Sequence, residues 1–249
     1  NFATLDAIDQ VLAGEHRSPG NRARDVYRHP KETLQFFGVR PDMHVVEVWP
    51  GGGWYTEVLA PLLRERGKYY AAHYHVDDNT HRFYRNAQRQ FVEKLAKRPD
   101  LYDRVVVTGL LPPYVALAPR DSVDVVLTFR NVHNWLAGDF ENEMFKAFYT
   151  ALKPGGTLGV VEHRAKPGTS REVMKESGYV TEAYVIGIAE AAGFRLVEKS
   201  EINANPKDTK DHPEGVWTLP PSFALKDKDR EKYAAIGESD RMTLRFVKP

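Results

Sequence analysis

Val45-Val46-Glu47-Val48-Trp49-Pro50-Gly51-Gly52-Gly53-Trp54-Tyr55-Thr56-Glu57-Val58-Leu59-Ala60-Pro61-Leu62-Leu63 is the stretch that decides the fold. Val45 to Trp49 reads as an apolar strand. Pro50 and the glycines Gly51 to Gly53 end it, and a helical pattern follows at once and stops at Gly67. The unit is therefore strand, glycine turn, helix. Glycine has no Cβ and tolerates positive φ, so a ligand can approach such a turn closely. The helix that follows offers unpaired N–H groups at its first turn. Glu47 lies near the carboxyl end of the strand, where nucleotide-like ligands bind in open α/β sheets.

Further strands are expected at Tyr69–His73, Arg104–Thr108, Val123–Phe129, Thr157–Glu162, Arg195–Ile202 and Met242–Val247. Helices fall between most of them. One runs from about Trp54 to Arg66, with Pro61 predicting a kink or a late start. One carries Phe83, Ala87, Phe91 and Leu95 on a single stripe. One opens with Asp139 as N-cap and repeats Phe140, Met144, Phe148 and Leu152. A last one spans Val180 to Ala192 and stops at Gly193. Strands alternating with helices mean right-handed βαβ units and a mostly parallel, doubly wound α/β sheet. The two final strands have no clear helix between them, which predicts an antiparallel hairpin at one edge. Ahead of this, residues 1–40 read as a helical arm, with Leu5, Ile8 and Leu12 at helical spacing and a second helix from His29-Pro30 to Gly38. Residues 41–249 form the main domain, with a long polar insertion over 203–240.

The chain has 249 residues, enough for one large domain with extensions. Its net charge of +1 gives no global field for nucleic acid or acidic membranes. The basic run from Arg82 to Arg98 reads as a solvated helix face. The absence of cysteine excludes disulfides, thiolate metal sites and cysteine nucleophiles. No apolar run is long enough to span a membrane.

This series of elements resembles the class I S-adenosylmethionine-dependent methyltransferases over about Arg40 to Pro249. Glu47-Val48-Trp49-Pro50-Gly51-Gly52-Gly53 is similar to their acidic, glycine-rich first motif. Asp124 to Val132 resembles the fourth strand and exit loop of the quinone C-methyltransferases. Leu152-Lys153-Pro154-Gly155-Gly156-Thr157-Leu158 resembles the turn into the fifth strand. More narrowly, the chain is similar to a group of predicted methyltransferases, often exported, that carry FRNVHNW and NPKDTKDHP; here these runs are Phe129–Trp135 and Asn205–Pro213. The resemblance implies a Rossmann-like seven-stranded fold and S-adenosylmethionine as cofactor. It puts the amino-acid end of the donor by Glu47, Gly51 and Gly53, with Tyr55 a candidate for its carboxylate. Phe129, Arg130 and Asn131 would border the methyl group and a small, aromatic or apolar acceptor. The arm, with Arg22, Arg24, Asp25, Tyr27, Arg28 and His29, would close over the donor or form a surface helix with local ion pairs. The chain starts at Asn1 rather than Met. With the export of the similar proteins, this carries the expectation of a removed signal peptide and a periplasmic location, against a cytoplasmic one otherwise.

Three positions depart from the family's pattern. Trp49 stands where the first motif usually has glycine, so an indole would fill space beside the donor or cap it. His73 stands where an acid usually takes both ribose hydroxyls. Imidazole cannot accept two hydrogen bonds as a carboxylate does; Asp77 or Asp78 would substitute if the loop folds back. After the third strand, Thr108-Gly109-Leu110 has no acid for the adenine amino group, leaving the loop backbone to read it.

His73, His75, His133 and His163 all fall at or just after the carboxyl ends of expected strands. His133 and His163, with Glu162, would face one pocket. His133 suits the role of a base that takes a proton from the acceptor as the methyl transfers. A metal site of imidazoles and a carboxylate is the other functional reading. No HxxxH or HExxH spacing supports it, and no metal is assigned. Each histidine is otherwise a hydrogen-bonded loop residue. The sequence thus leads to methyl transfer on a small acceptor. Its alternative is a non-methylating ligand- or metal-binding protein on the same fold. A nucleic-acid substrate is disfavoured by the near-zero charge and by the lack of an Asn-Pro-Pro-Tyr type motif after the fourth strand.

Overall fold

A computed structural model describes residues 2–249. Its strands are β1 (His44–Val48), β2 (Lys68–His73), β3 (Val106–Gly109), β4 (Val123–Phe129), β5 (Leu152–His163), β6 (Arg195–Ser200) and β7 (Arg241–Val247). They form one seven-stranded sheet in the order β3-β2-β1-β4-β5-β7-β6. All neighbours are parallel except β7, which runs antiparallel to both β5 and β6. The edge hairpin expected at the end of the chain is thus present. So is the α/β class.

Four helices precede the sheet: α1 (Phe2–Leu12), α2 (Pro19–Arg22), α3 (Asp25–Arg28) and α4 (Pro30–Phe36). The rest are α5 (Thr56–Leu63), α6 (Arg82–Ala96), α7 (Pro99–Tyr102), α8 (Val132–Ala137), α9 (Glu141–Ala151), α10 (Arg171–Ser177), α11 (Glu182–Ala192) and α12 (Arg230–Ile236). Alternation along β1 builds both layers, because successive side chains point to opposite faces. Val46 and Val48 join a core with Trp135, Phe145, Phe148 and Ile188. Val45 joins the opposite core with Ile8, Leu34, Leu59 and Phe91. Between β1 and β4 the chain direction of winding reverses, and the crevice at this switch point is where open α/β sheets hold ligands.

The helix after the glycine turn starts late, at Thr56, one of the two outcomes expected of a helix with Pro61 inside it. Other elements differ from the sequence reading. In α6, Phe91 and Leu95 are buried but Phe83 is 63% exposed, so only the carboxyl-terminal half reaches the core. Asp139 does not cap α9. The short helix α8 intervenes, and Asp139 sits in the left-handed region at φ 59° in the turn between the two, a conformation that Asp tolerates. Thr181, not Val180, begins α11, its hydroxyl accepting from the Tyr184 N–H at 3.1 Å.

The polar 203–240 segment is tied down rather than solvated at its start. Asp208 is buried and accepts from Tyr179 Oη, His212 Nε2, the Lys210 N–H and the Asp240 N–H at 2.8–2.9 Å. Asn205 Nδ2 donates to the carbonyls of Ile236 and Glu238, both at 2.7 Å. The Asn205–Pro213 run therefore pins the segment to the approach to β7. Val216 and Leu219 dock in the interior, while Trp217 is half-exposed.

Candidate active site at the sheet rim

The glycine turn is built on positive φ. Gly51 sits at φ 60° and Gly53 at φ 94°, as a tight turn between a strand and a helix requires. A Cβ on Gly51 or Gly52 would meet nothing within 4 Å, so the turn faces open space. Gly53 instead packs against Lys94 and Phe91.

Trp49 also lies in the left-handed region, at φ 49°. That costs about 1–2 kcal/mol for a residue with a Cβ. Its surroundings offset the strain. The indole Nε1–H donates to the Leu110 carbonyl at 2.8 Å. The ring stands edge-on to Tyr74, Trp135 and Phe140, and the residue is only 7% exposed. These partners follow β2, β3 and β4. The indole is thus a core plug across the carboxyl ends of those strands.

His73 lies behind the turn. Its Nδ1 accepts the Tyr74 N–H at 2.9 Å, so Nε2 carries the proton and donates to the Gly51 carbonyl at 3.2 Å. Burial lowers its pKa to about 4. Both ring nitrogens of this neutral imidazole are used by backbone. Asp77 does not fold back to replace an acid here; it closes its own turn through the Asn79 N–H and Thr80.

At the crevice between β1 and β4 lies a cavity of about 340 Å³. It is walled by Glu47, Trp49, Gly51, Gly52, Tyr55, Phe129, Arg130 and Asn131, with Asn21, Arg28 and Trp54 closing it from the arm and the start of the helix. Tyr55 stacks on Phe129 at 3.8 Å between centroids. Glu47 accepts from Tyr69 Oη at 2.7 Å. Burial raises its pKa to about 7, against the pull of Tyr69 and Arg130. Asn131 spends its amide on the frame, donating from Nδ2 to the Val48 carbonyl at 3.0 Å and to Thr128 Oγ1 at 3.1 Å.

Charge at this cavity is uneven. Glu238 is shared by Arg24 (2.6 Å), Arg28 (3.0 Å) and Arg241 (2.7 Å). Burial opposes its ionisation, yet Arg241, Arg28 and Arg130 hold the carboxyl at about 2. Arg130 makes no hydrogen bond or ion pair through its guanidinium among the described residues. Burial, followed by Arg28 and Arg241, disfavours its charge, and Glu238 only partly compensates.

A second cluster lies around Glu162. This buried carboxylate accepts the His133 N–H at 2.7 Å, the His163 N–H at 2.8 Å and His133 Nδ1–H at 3.0 Å. That arrangement fixes the His133 tautomer and leaves Nε2 as the open lone pair. His163 Nδ1 bonds Ser239 Oγ at 2.5 Å. Burial, then His133, Arg241, Arg130 and Arg28, push the His163 pKa well below its usual value. His133, Glu162 and His163 offer ligand atoms within 4.8 Å of one another. Their chemistry fits a cation poorly: the carboxylate is already committed to three donors, and guanidinium groups bear on the neighbouring ring.

The candidate residues thus divide. Glu47, Trp49, Gly51, Tyr55, Phe129, Arg130 and Asn131 share one cavity. His73 backs it through Gly51, Gly53 packs beneath it, and His133 and His163 gather at Glu162. Glu238, Ser239 and Arg241 escaped the sequence reading: Glu238 meets Arg28 at a separation of 210 positions, Ser239 meets His163 at 76, and Arg241 joins them through Glu238 and Ser239. The one available signal was a polar run, Glu238 to Arg241, leading into a strand.

No known family pattern and no curated protein matches the chain by sequence. Solved structures do match. A SAM dependent methyltransferase from Aquifex aeolicus aligns over 98% of both chains with a TM-score of 0.59 at 18% identity. The [4+2]-cyclase SpnF aligns over 95% of this chain and 85% of its own, with a TM-score of 0.59 at 18% identity. Phosphoethanolamine N-methyltransferase 2 of Haemonchus contortus, solved with S-adenosyl-L-methionine, aligns over 100% of this chain and 57% of its own, with a TM-score of 0.57 at 17% identity. The chain has the Rossmann-like fold of the S-adenosylmethionine-dependent methyltransferases.

Proposed function

We propose that the chain is an enzyme acting on a small molecule at the sheet rim, with methyl transfer from S-adenosylmethionine as its reaction. The observation that carries this reading is the open crevice over Gly51 and Gly52 at the β1–β4 switch point, in a fold whose solved neighbours include proteins described as methyltransferases. Gly51, Gly52 and Tyr55 would hold the amino-acid end of the donor. Phe129 and Arg130 would border the acceptor, and His133, oriented by Glu162, would take its proton. In-line methyl displacement asks the protein mainly for positioning. Calorimetric titration with S-adenosylhomocysteine tests the reading. Micromolar binding, about −8 kcal/mol, supports it, and no heat with no change in melting temperature sinks it.

Trp49 favours a second reading, in which the fold is kept without its nucleoside donor. Its indole is buried, and both nitrogens of His73, which the resemblance sets at the ribose position, are taken by backbone. The fold is shared by a protein described as a [4+2]-cyclase, whose name specifies no methyl transfer. Export of the chain, inferred from resemblance alone, would agree with this second reading, since S-adenosylmethionine is made in the cytoplasm.

A further inference from the structure

The crevice has two halves, and the chain treats them differently. Across the ends of β2 and β3 it is closed by Trp49, with the indole N–H on the Leu110 carbonyl and the ring against Tyr74 and Trp135. A flat, hydrogen-bonding aromatic thus fills this half. Towards the arm it stays open, but about 340 Å³ is at the small end of ligand pockets, roughly 300–1,000 Å³.

That open half carries a charge without an answer. Arg130 reaches it from the end of β4 and Arg28 from α3. Arg24, Arg28 and Arg241 all draw on Glu238. Glu47, the acid in the wall, accepts from Tyr69, and burial raises its pKa to about 7. His163, from β5, faces the same guanidinium groups as a neutral ring. Tyr55 is kept protonated by burial. Glu238, already shared by three arginines, only partly offsets Arg130, whose guanidinium makes no ion pair among the described residues, and a guanidinium does not shed its proton. A planar fork of donors in a partly desolvated wall suits a bidentate oxyanion.

We propose that Trp49 permanently fills the nucleobase half of the crevice, and that Arg130 with Arg28 binds a small, nucleobase-free molecule through its carboxylate or phosphate group, against the Tyr55–Phe129 stack. The proposal rests on the second reading above and competes with the first.

Titrating the full chain with inorganic phosphate, benzoate, adenosine and S-adenosylhomocysteine tests it. The expected result is binding of phosphate or benzoate and no binding of either nucleoside. Preference between the two anions identifies which oxyanion the site takes. Arg130→Met should weaken anion binding at least tenfold with the melting temperature kept within a few degrees. Trp49→Gly, which also relieves the positive φ, should admit adenosine. Micromolar binding of S-adenosylhomocysteine by the unaltered chain overturns the proposal and leaves the methyl-transfer reading standing. Binding of none of the four overturns both. Anion binding that Arg130→Met leaves unchanged overturns the assignment of the site. These outcomes hold even if Trp49→Gly fails to fold.

Discussion

Glu47 and Glu238 are both buried, and they answer to pH in opposite ways. Burial puts Glu47 at about 7, above the range of an unfolded glutamate. The folded state then holds the proton that the unfolded state has lost, so stability falls as pH rises from about 4.5 to 7 and stays reduced above that. Glu47→Gln keeps an acceptor for Tyr69 and removes this penalty. Thermal unfolding at pH 8 should show the variant more stable, by on the order of 2–3 kcal/mol, and at pH 4 the two should coincide. An advantage equal at both pH values would refute the assignment. Glu162 makes a different case, because its value lies in its hydrogen bonds. Glu162→Ala would orphan two backbone N–H groups and His133 Nδ1. The expected loss is about 3 kcal/mol or more. Glu162→Gln should lose less while still disturbing the His133 tautomer, which the imidazole nitrogen shifts in an NMR spectrum would report.

At the scale of elements, strands were legible and short connectors were not. β1 and β4 could be read because both faces of each are covered, so apolar residues run on without a break. The glycine turn was equally plain, since Gly51 and Gly53 must adopt positive φ. The helix α8 was missed because Val132 to Ala137 is too short to display a period, and its polar residues had been read as loop. Where Trp49 would point was not legible either. Its direction depends on the Leu110 carbonyl, which the sequence leaves 61 positions away. The Asn205–Asp208 run had the same difficulty, as the donors to Asp208 come from Tyr179, His212, Lys210 and Asp240. Asp208→Ala removes the acceptor for all of them. Limited proteolysis should then cut between residues 205 and 230 at least tenfold faster than in the parent chain. An unchanged cleavage rate would mean that the docking of Val216 and Leu219 alone holds the segment.

Across the whole molecule, one carboxylate joins the beginning of the chain to its end. Glu238 precedes β7 and binds Arg24 and Arg28 from the arm together with Arg241 from the strand itself. Ile8 and Leu34 add apolar anchorage for the arm on the face that carries Val45 and Leu59. The ionic latch and the apolar contacts can be separated by acid. The folded pKa of Glu238, about 2, is below that of an unfolded glutamate, so its contribution is complete above about 4.5 and is lost as pH falls towards 2. Glu238→Gln mimics the protonated state at neutral pH. It leaves three guanidinium groups facing one another beside Arg130 without an anion. Hydrogen exchange over residues 19–30 should accelerate by at least tenfold in the variant, while β1 and β4, held by the cores on both faces, keep their protection. The parent chain should show the same local loosening as pH is lowered from 5 to 3, once rates are corrected for the intrinsic pH dependence of exchange. If the whole chain loses protection together, the arm is an inseparable part of the domain; if neither region responds, the apolar contacts of Ile8 and Leu34 hold it without the latch.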